Sequence, residues 1–361
     1  MKNKSLLKLL GVIVLAIVVA IPLTVGCAAQ APTPAPAPEE EPINLTYAFY
    51  NPPSGLQGEG IMIWIDEIDR YTKGKVQVEP FWSGSLFKGK EMLKGVADGV
   101  VDMGRINSAY YTTEMPIHQL WLTIPSGPSD FMDGLEVMST LFQEFPEFDR
   151  EFTEYNQRPL FRTRVISSVI CSTEPFASFE DFEGKRLRAG PAATLKWLGG
   201  AGAVPVSVPW SDCFMALSTG SIEGVYTNLD GIHSTKLDEP ASNMFVTRDL
   251  SLMLHYYDTI NLDSWNKLPN EIQEQLMTAS RAAEARYAKL FSAEFDRCIA
   301  EQAEMGCVIN FWSEEDLDKF ISMPIIAELQ AEWVKDAEAA GVDDAAQMFE
   351  RANELIKSVE K

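Results

Sequence analysis

"GKRLRAGPAATLKWLGGAGAVPVSVPWSDCFMALSTGSIEGV", residues 184–225, decides the fold. "GKRLRAG" sets Arg186 and Arg188 at alternate positions around Leu187, the spacing of a strand, and the run stops at Gly190 and Pro191. A helix through Leu195 and Leu198 comes next, then the strand "GAVPVSVP", the helix "SDCFMALSTG" and the strand "IEGVY". Strands alternating with helices in this way build an open sheet covered by helices, an α/β fold. The same stretch raises a chemical question, because it places an arginine pair before a turn in an acidic chain.

Working outward, the first third of the chain repeats the pattern. "LTYAFY" is a strand; Ile61, Trp64, Ile65 and Ile68 fall at helical spacing before Gly74; "VQVEPF" is a strand, "GKEMLKGVADG" a short helix and "VVDMGRI" a strand. "PLFRTRVISSVICS" opens the second set as one extended segment. From Pro269 to about Met305 a single helical segment runs long enough to span two bodies. Two more helices close the chain, the first opened by Ser313 with Asp316 three residues on, a capping-box pattern.

At the amino end, Lys2, Lys4 and Lys8 precede an apolar run that finishes at "LTVGC", which reads as a secretory signal. Residues 28–42, "AAQAPTPAPAPEEEP", alternate Pro and Ala with almost nothing apolar to bury, an extended and solvated tether. Folded protein is expected from Ile43, and the roughly 320 residues beyond it exceed what one core usually organises, which predicts two lobes. Loss of the signal leaves 27 basic against 52 acidic residues, a formal net charge of −25. Such a field excludes nucleic acid as a partner, and it holds an anionic ligand only through a local cationic pocket.

Cys171, Cys213, Cys298 and Cys307 show no CxxC spacing, and a chain of this length does not need disulfide staples. The only histidines, His118, His233 and His255, lie away from the cysteines at ligand spacing, so no metal and no cofactor is expected. "GGAGAVP" carries Pro205 where a dinucleotide fingerprint needs a small residue. Phosphate-loop, GxSxG and HExxH signatures are missing, which lowers the case for an enzyme.

Residues 180–225 resemble the core of the DctP-type solute-binding proteins of TRAP transporters (tripartite ATP-independent periplasmic transporters). Residues 71–104, "YTKGKVQVEPFWSGSLFKGKEMLKGVADGVVDMG", and the "SWNKLPNEIQEQL" that opens the long helix are similar to further family motifs in the same order. "LTVGC" likewise resembles a lipobox, in which Cys27 becomes the lipidated first residue of the mature chain, with 1–27 as the signal peptide. The resemblance implies a two-lobed periplasmic-binding-protein-like fold with crossing strands, a ligand cleft between the lobes and a long spanning helix. Residues 43–165 and 253–292 would form lobe I, and 166–252 and 293–361 lobe II. It also implies an extracytoplasmic, lipid-anchored receptor, touching the membrane through that lipid only, that passes a small organic acid to TRAP membrane subunits. A receptor for an ATP-driven importer or a sensor is the alternative, and an extracytoplasmic enzyme a more distant one.

Arg188 stands at the family's strand arginine, which pairs with a ligand carboxylate. A guanidinium presents two parallel donors and stays charged when desolvated. Arg186 would face the same side of the strand unless the strand ends between them. Ser168 falls where many members carry a second arginine, and Tyr226 and Thr227 replace an acidic and an amide residue, with Asn228 able to serve after a one-residue slip. These departures favour a monocarboxylate with an apolar or aromatic body over a dicarboxylate. Trp82, Trp210, Tyr110, Tyr111 and Tyr226 are candidate aromatic walls, and Arg105 a candidate second cation at a first-lobe strand end.

Overall fold

The computed structural model describes residues 41–247 and 255–359. Cys27, the apolar run before it and most of the tether lie outside the described residues. In chain order the elements are β1 (Ile43–Ala48), α1 (Gly55–Thr72), β2 (Val76–Phe81), α2 (Met92–Ala97), β3 (Met103–Asn107), α3 (Phe131–Glu144), α4 (Glu147–Thr153) and β4 (Gln157–Arg164). The second half begins with β5 (Ser168–Ser172), β6 (Arg186–Ala189), α5 (Ala192–Gly200), β7 (Val204–Ser207), α6 (Cys213–Ser218), β8 (Gly224–Asn228) and β9 (Asn243–Val246). It continues with β10 (His255–Asn261), α7 (Leu262–Lys267), α8 (Asn270–Glu304), β11 (Val308–Phe311), α9 (Glu314–Ile321), α10 (Pro324–Ala339) and α11 (Ala345–Val359).

Two sheets carry the two lobes. The first has the order β2-β1-β3-β10-β4, and the second β11-β9-β5-β8-β6-β7. In the first sheet β1 pairs in parallel with β2 and β3, while β10 runs antiparallel to both β3 and β4. Every residue of β3 and β10 is buried, as expected of inner strands with both faces covered by helices. The quoted stretch 184–225 forms β6-α5-β7-α6-β8, with β6 parallel to both β7 and β8.

"PLFRTRVISSVICS" is not one strand but two. β4 ends at Arg164 in the first sheet and β5 starts at Ser168 in the second, so residues 165–167 are the crossing between lobes. β9 belongs to the second sheet and β10 to the first, and residues 248–254 between them lie outside the described residues. α8 is 35 residues long, about 52 Å at 1.5 Å per residue. It packs on α1, α3 and β4 of the first lobe and on β11 and the 229–231 turn of the second. α1 ends in left-handed Lys73, followed by Gly74 at φ 78°. The Ser313–Asp316 capping box forms at the start of α9.

The C-terminal helices depart from the expected lobe II assignment. α10 lies between α5 and the turn 117–122, where Trp333 donates its indole N–H to the carbonyls of Pro116 (3.1 Å) and Ile117 (3.2 Å). α11 packs on α3, and Arg351 holds Glu144 bidentately at 2.8 Å through each nitrogen. The apolar stripe of α11, Ala345, Met348, Ala352 and Ile356, is therefore buried against the first lobe. The four cysteines Cys171, Cys213, Cys298 and Cys307 are free thiols.

Candidate functional site

The carboxyl ends of β1, β3, β6 and β8 converge on a cleft between the sheets. From the first lobe its walls are Tyr50, Asn51, Ser54, Gln57, Asn107, Tyr110 and Tyr256; from the second, Ser168, Arg188, Thr194, Trp210, Tyr226 and the segment Thr227–Gly231 without Leu229. The cleft encloses about 840 Å³ of space free of protein atoms, part of it open to solvent. Open α/β sheets bind ligands at such strand ends because the loops there are free to diverge. Toward the mouth, Lys88, Lys90 and Glu91 face Val208, Ser211 and Asp212 across the opening.

Arg188 is the cation of this cavity. It sits at the second-last position of β6, only 3% exposed, and its Nε donates to the carbonyl of Val208 at 2.8 Å. Its guanidinium carbon lies 5.5 Å from the ring centroid of Trp210, a cation–π arrangement. Among the described residues no carboxylate pairs with it, and neither Nη makes a hydrogen bond. A desolvated guanidinium with both terminal nitrogens unengaged is matched to two oxygens of an incoming carboxylate. The start of α5 adds its backbone N–H end to the same wall, through Pro191 and Thr194, and no side chain caps that helix.

Arg186 does not share this position. It lies at the outer end of β6, where Nε and the backbone N–H bind the Glu223 carboxylate at 3.2 Å and 2.8 Å. The strand begins there, so Arg186 remains solvent-exposed beside Glu223, while Arg188, one pleat repeat along, reaches the cleft.

The structure also removes Arg105 and Trp82 from the cleft walls. Arg105 is fully buried in β3, directly opposite Asp258 of β10, and holds it bidentately with Nε–Oδ1 at 3.0 Å and Nη2–Oδ2 at 2.6 Å. Its remaining Nη donates to Gln57, and its charge is consumed inside the first lobe. Trp82 follows β2, the edge strand, and packs edge-on against Phe49 at 5.8 Å between ring centroids. The cleft is reached by the next strands inward, so Tyr50 and Tyr110 form the aromatic wall instead. Tyr111 is buried, its hydroxyl donating to the Gly89 carbonyl at 2.6 Å.

Ser168, Trp210, Tyr226, Thr227 and Asn228 all line the cavity. The Tyr226 hydroxyl is buried and, with Tyr50 Oη and Asn51 Oδ1, lacks a hydrogen-bond partner among the described residues. Three such atoms on one cavity are groups a polar ligand can satisfy. Thr227 Oγ1 donates to Asn228 Oδ1 at 3.3 Å. Sequence reasoning missed Tyr50, Gln57, Asn107, Tyr256 and Asp230. Asp230 carries no local signal that marks it; only the fold shows it buried at the cavity, where burial pushes its carboxyl up to about 7. No group of three or more His, Cys, Asp or Glu side chains able to hold a metal ion occurs among the described residues.

Comparisons with known proteins agree on the family. Residues 47–332 match the DctP family model, described as bacterial extracellular solute-binding protein, family 7. The C4-dicarboxylate-binding periplasmic protein DctP of Rhodobacter capsulatus is 23% identical over 255 residues, 66% of this chain and 71% of that protein. A marine-metagenome TRAP solute-binding protein crystallised with pyroglutamate superposes with a TM-score of 0.76 at 19% identity, covering 87% of this chain and all of that one. Another from a marine metagenome, specific for aromatic acids and crystallised with 3-hydroxybenzoate, gives 0.78 at 19% identity over 89% of this chain and all of its own. The chain belongs to the DctP family of bacterial extracellular solute-binding proteins, the family whose motifs its sequence carries in order.

Proposed function

We propose that this chain is an extracytoplasmic receptor, anchored through a lipidated Cys27, that captures a small monocarboxylate with an apolar or aromatic body and delivers it to a TRAP-type secondary transporter. The observation that carries the reading is the state of the arginines. Arg105 is consumed by Asp258 and Arg186 by Glu223, whereas Arg188 lines the cleft with its terminal nitrogens unengaged. One such cation supports one carboxylate. Tyr50, Tyr110, Trp210, Tyr226 and Tyr256 around it supply flat apolar surface for the rest of the ligand. Neighbours with the same fold hold pyroglutamate and 3-hydroxybenzoate, both monocarboxylates, which supports the same class here. The role is capture rather than catalysis.

A thermal-shift screen of organic acids is expected to find a stabilising ligand, since anything that binds only the folded state raises its apparent stability. Loss of one partner from a desolvated, hydrogen-bonded charge pair costs about 2–5 kcal/mol. Arg188→Ala should therefore weaken binding well over tenfold, and Arg188→Lys should restore only part of it. The amide of the same acid should bind poorly to the wild type. Undiminished binding to a folded Arg188→Ala protein refutes the proposal. For the anchor, Cys27→Ser should abolish metabolic labelling with a fatty acid, and equal labelling of the variant refutes it.

A further inference from the structure

The cleft contains a second unpaired ionisable group. Asp230 lies in the turn 229–231 directly after β8, 5% exposed and on the cavity wall. Its Oδ1 receives the backbone N–H of Ile166 at 3.3 Å and its Oδ2 the Gln57 amide at 3.5 Å, both long. The Asn228 side chain lies beside it on the cavity wall. A carboxylate has about four acceptor positions, so capacity remains. Among the described residues no Lys, Arg or His pairs with Asp230, and Arg188, in the same cavity, lies beyond ion-pair distance. Tyr256 is close enough to feel both charges.

We infer that Asp230 is a second recognition point that accepts an N–H of the captured molecule, so that the ligand class is carboxylic acids carrying an ammonium or amide N–H. This rests on the reading that Arg188 holds the carboxylate. A buried cation and a buried acid left apart in one cavity complement a ligand that has an acceptor at one end and a donor at the other. Either group alone is costly to bury, and a dipolar ligand satisfies both.

The surroundings set when Asp230 is charged. Gln57 faces it from α1, Asn228 from β8, Tyr256 from β10, and Tyr287, Cys298 and Glu294 from α8. Glu294 is itself held by Arg297 at 2.7 Å, and its residual field opposes ionisation of Asp230. With the carboxyl pushed up to about 7, the acceptor is formed near neutral pH, and affinity for an ammonium acid should rise as pH passes upward through that value.

Four five-membered-ring acids of matched shape test this by calorimetry: proline, pyroglutamate, cyclopentanecarboxylate and tetrahydrofuran-2-carboxylate. The wild type is expected to bind at least one of the two N–H acids tenfold or more tighter than both N–H-free acids. Asp230→Ala should bring that ratio within threefold. Asp230→Asn, which keeps size and one acceptor, should lose the pH dependence for proline. The inference is overturned if an N–H-free acid binds the wild type as tightly, if neither N–H acid binds, or if both variants keep the preference. A preference for the ring-oxygen acid would mean that Asp230 donates a proton instead, and also overturns it. Arg188→Ala separates the two readings: undiminished affinity there sinks the carboxylate assignment itself. Loss of affinity there without any N–H preference in the wild type sinks only the role of Asp230.

Discussion

Arg105, at the centre of β3, and Arg188, at the second-last position of β6, are both buried strand arginines, and their neighbours give them opposite work. Arg105 is matched by Asp258, Gln57 and the Phe49 ring, 4.8 Å from its guanidinium carbon. Breaking a buried pair by removing one partner leaves an uncompensated charge and costs about 3–5 kcal/mol. Arg105→Ala is therefore expected to lower the unfolding free energy by that amount in urea titrations. Arg188→Ala should leave the ligand-free protein within about 1 kcal/mol of wild type, because the only hydrogen bond removed is the one to Val208. Equal destabilisation by both would mean that Arg188 is structural. Asp230 adds a pH signature. Its folded pKa stands above the ordinary carboxylate value, so the native state binds more protons than the unfolded chain between about pH 4 and 7. Its contribution to stability then falls as pH rises through that window and is flat above it. Subtracting the Asp230→Asn stability profile from the wild-type one should recover this slope, and parallel profiles contradict it.

At the scale of elements, the sequence was most legible where local pattern and local structure coincide. "VQVEPF" is β2 residue for residue, the long helix begins one residue after Pro269, and Ser313 caps where its spacing says it should. Arg188 was legible because strand spacing and a family motif point at the same position. Local pattern carries no information about partners far along the chain. Asp258, 153 residues from Arg105, decides where that arginine's charge goes, and β2's place at the sheet edge decides that Trp82 misses the cleft. The same limit hid the break between β4 and β5, since apolar residues continue through the crossing. Close packing of α1 on α8 gives a test at this scale. A Cβ on Gly60 would lie 2.7 Å from the Tyr287 ring, and overpacking of this kind costs about 1–3 kcal/mol. Gly60→Ala should lower the denaturation midpoint accordingly; an unchanged midpoint would show that the two helices separate freely.

Across the whole molecule, contacts bridge the cleft from both sides. Lys88 reaches Asp212 at 3.9 Å at the mouth, and Gln57 of α1 reaches Asp230 of the second lobe. Gly190, beside Arg188, fits so closely under Tyr110 of the first lobe that a Cβ there would stand 3.0 Å from the ring. These contacts are thin compared with either lobe's core; under the proposed function the lobes part there, and whatever bridges Arg188 to the opposite wall sets the balance. A net negative chain repels free acids at long range, so retention depends on that bridge. Small-angle scattering of the wild type and Arg188→Ala, each with and without the acid identified by thermal shift, tests this most directly. The wild type is expected to compact at saturating ligand, while the variant at the same concentration keeps its ligand-free profile. An unchanged wild-type profile with binding verified by calorimetry, or equal compaction of the variant, would contradict capture of the acid by Arg188 in a closing cleft.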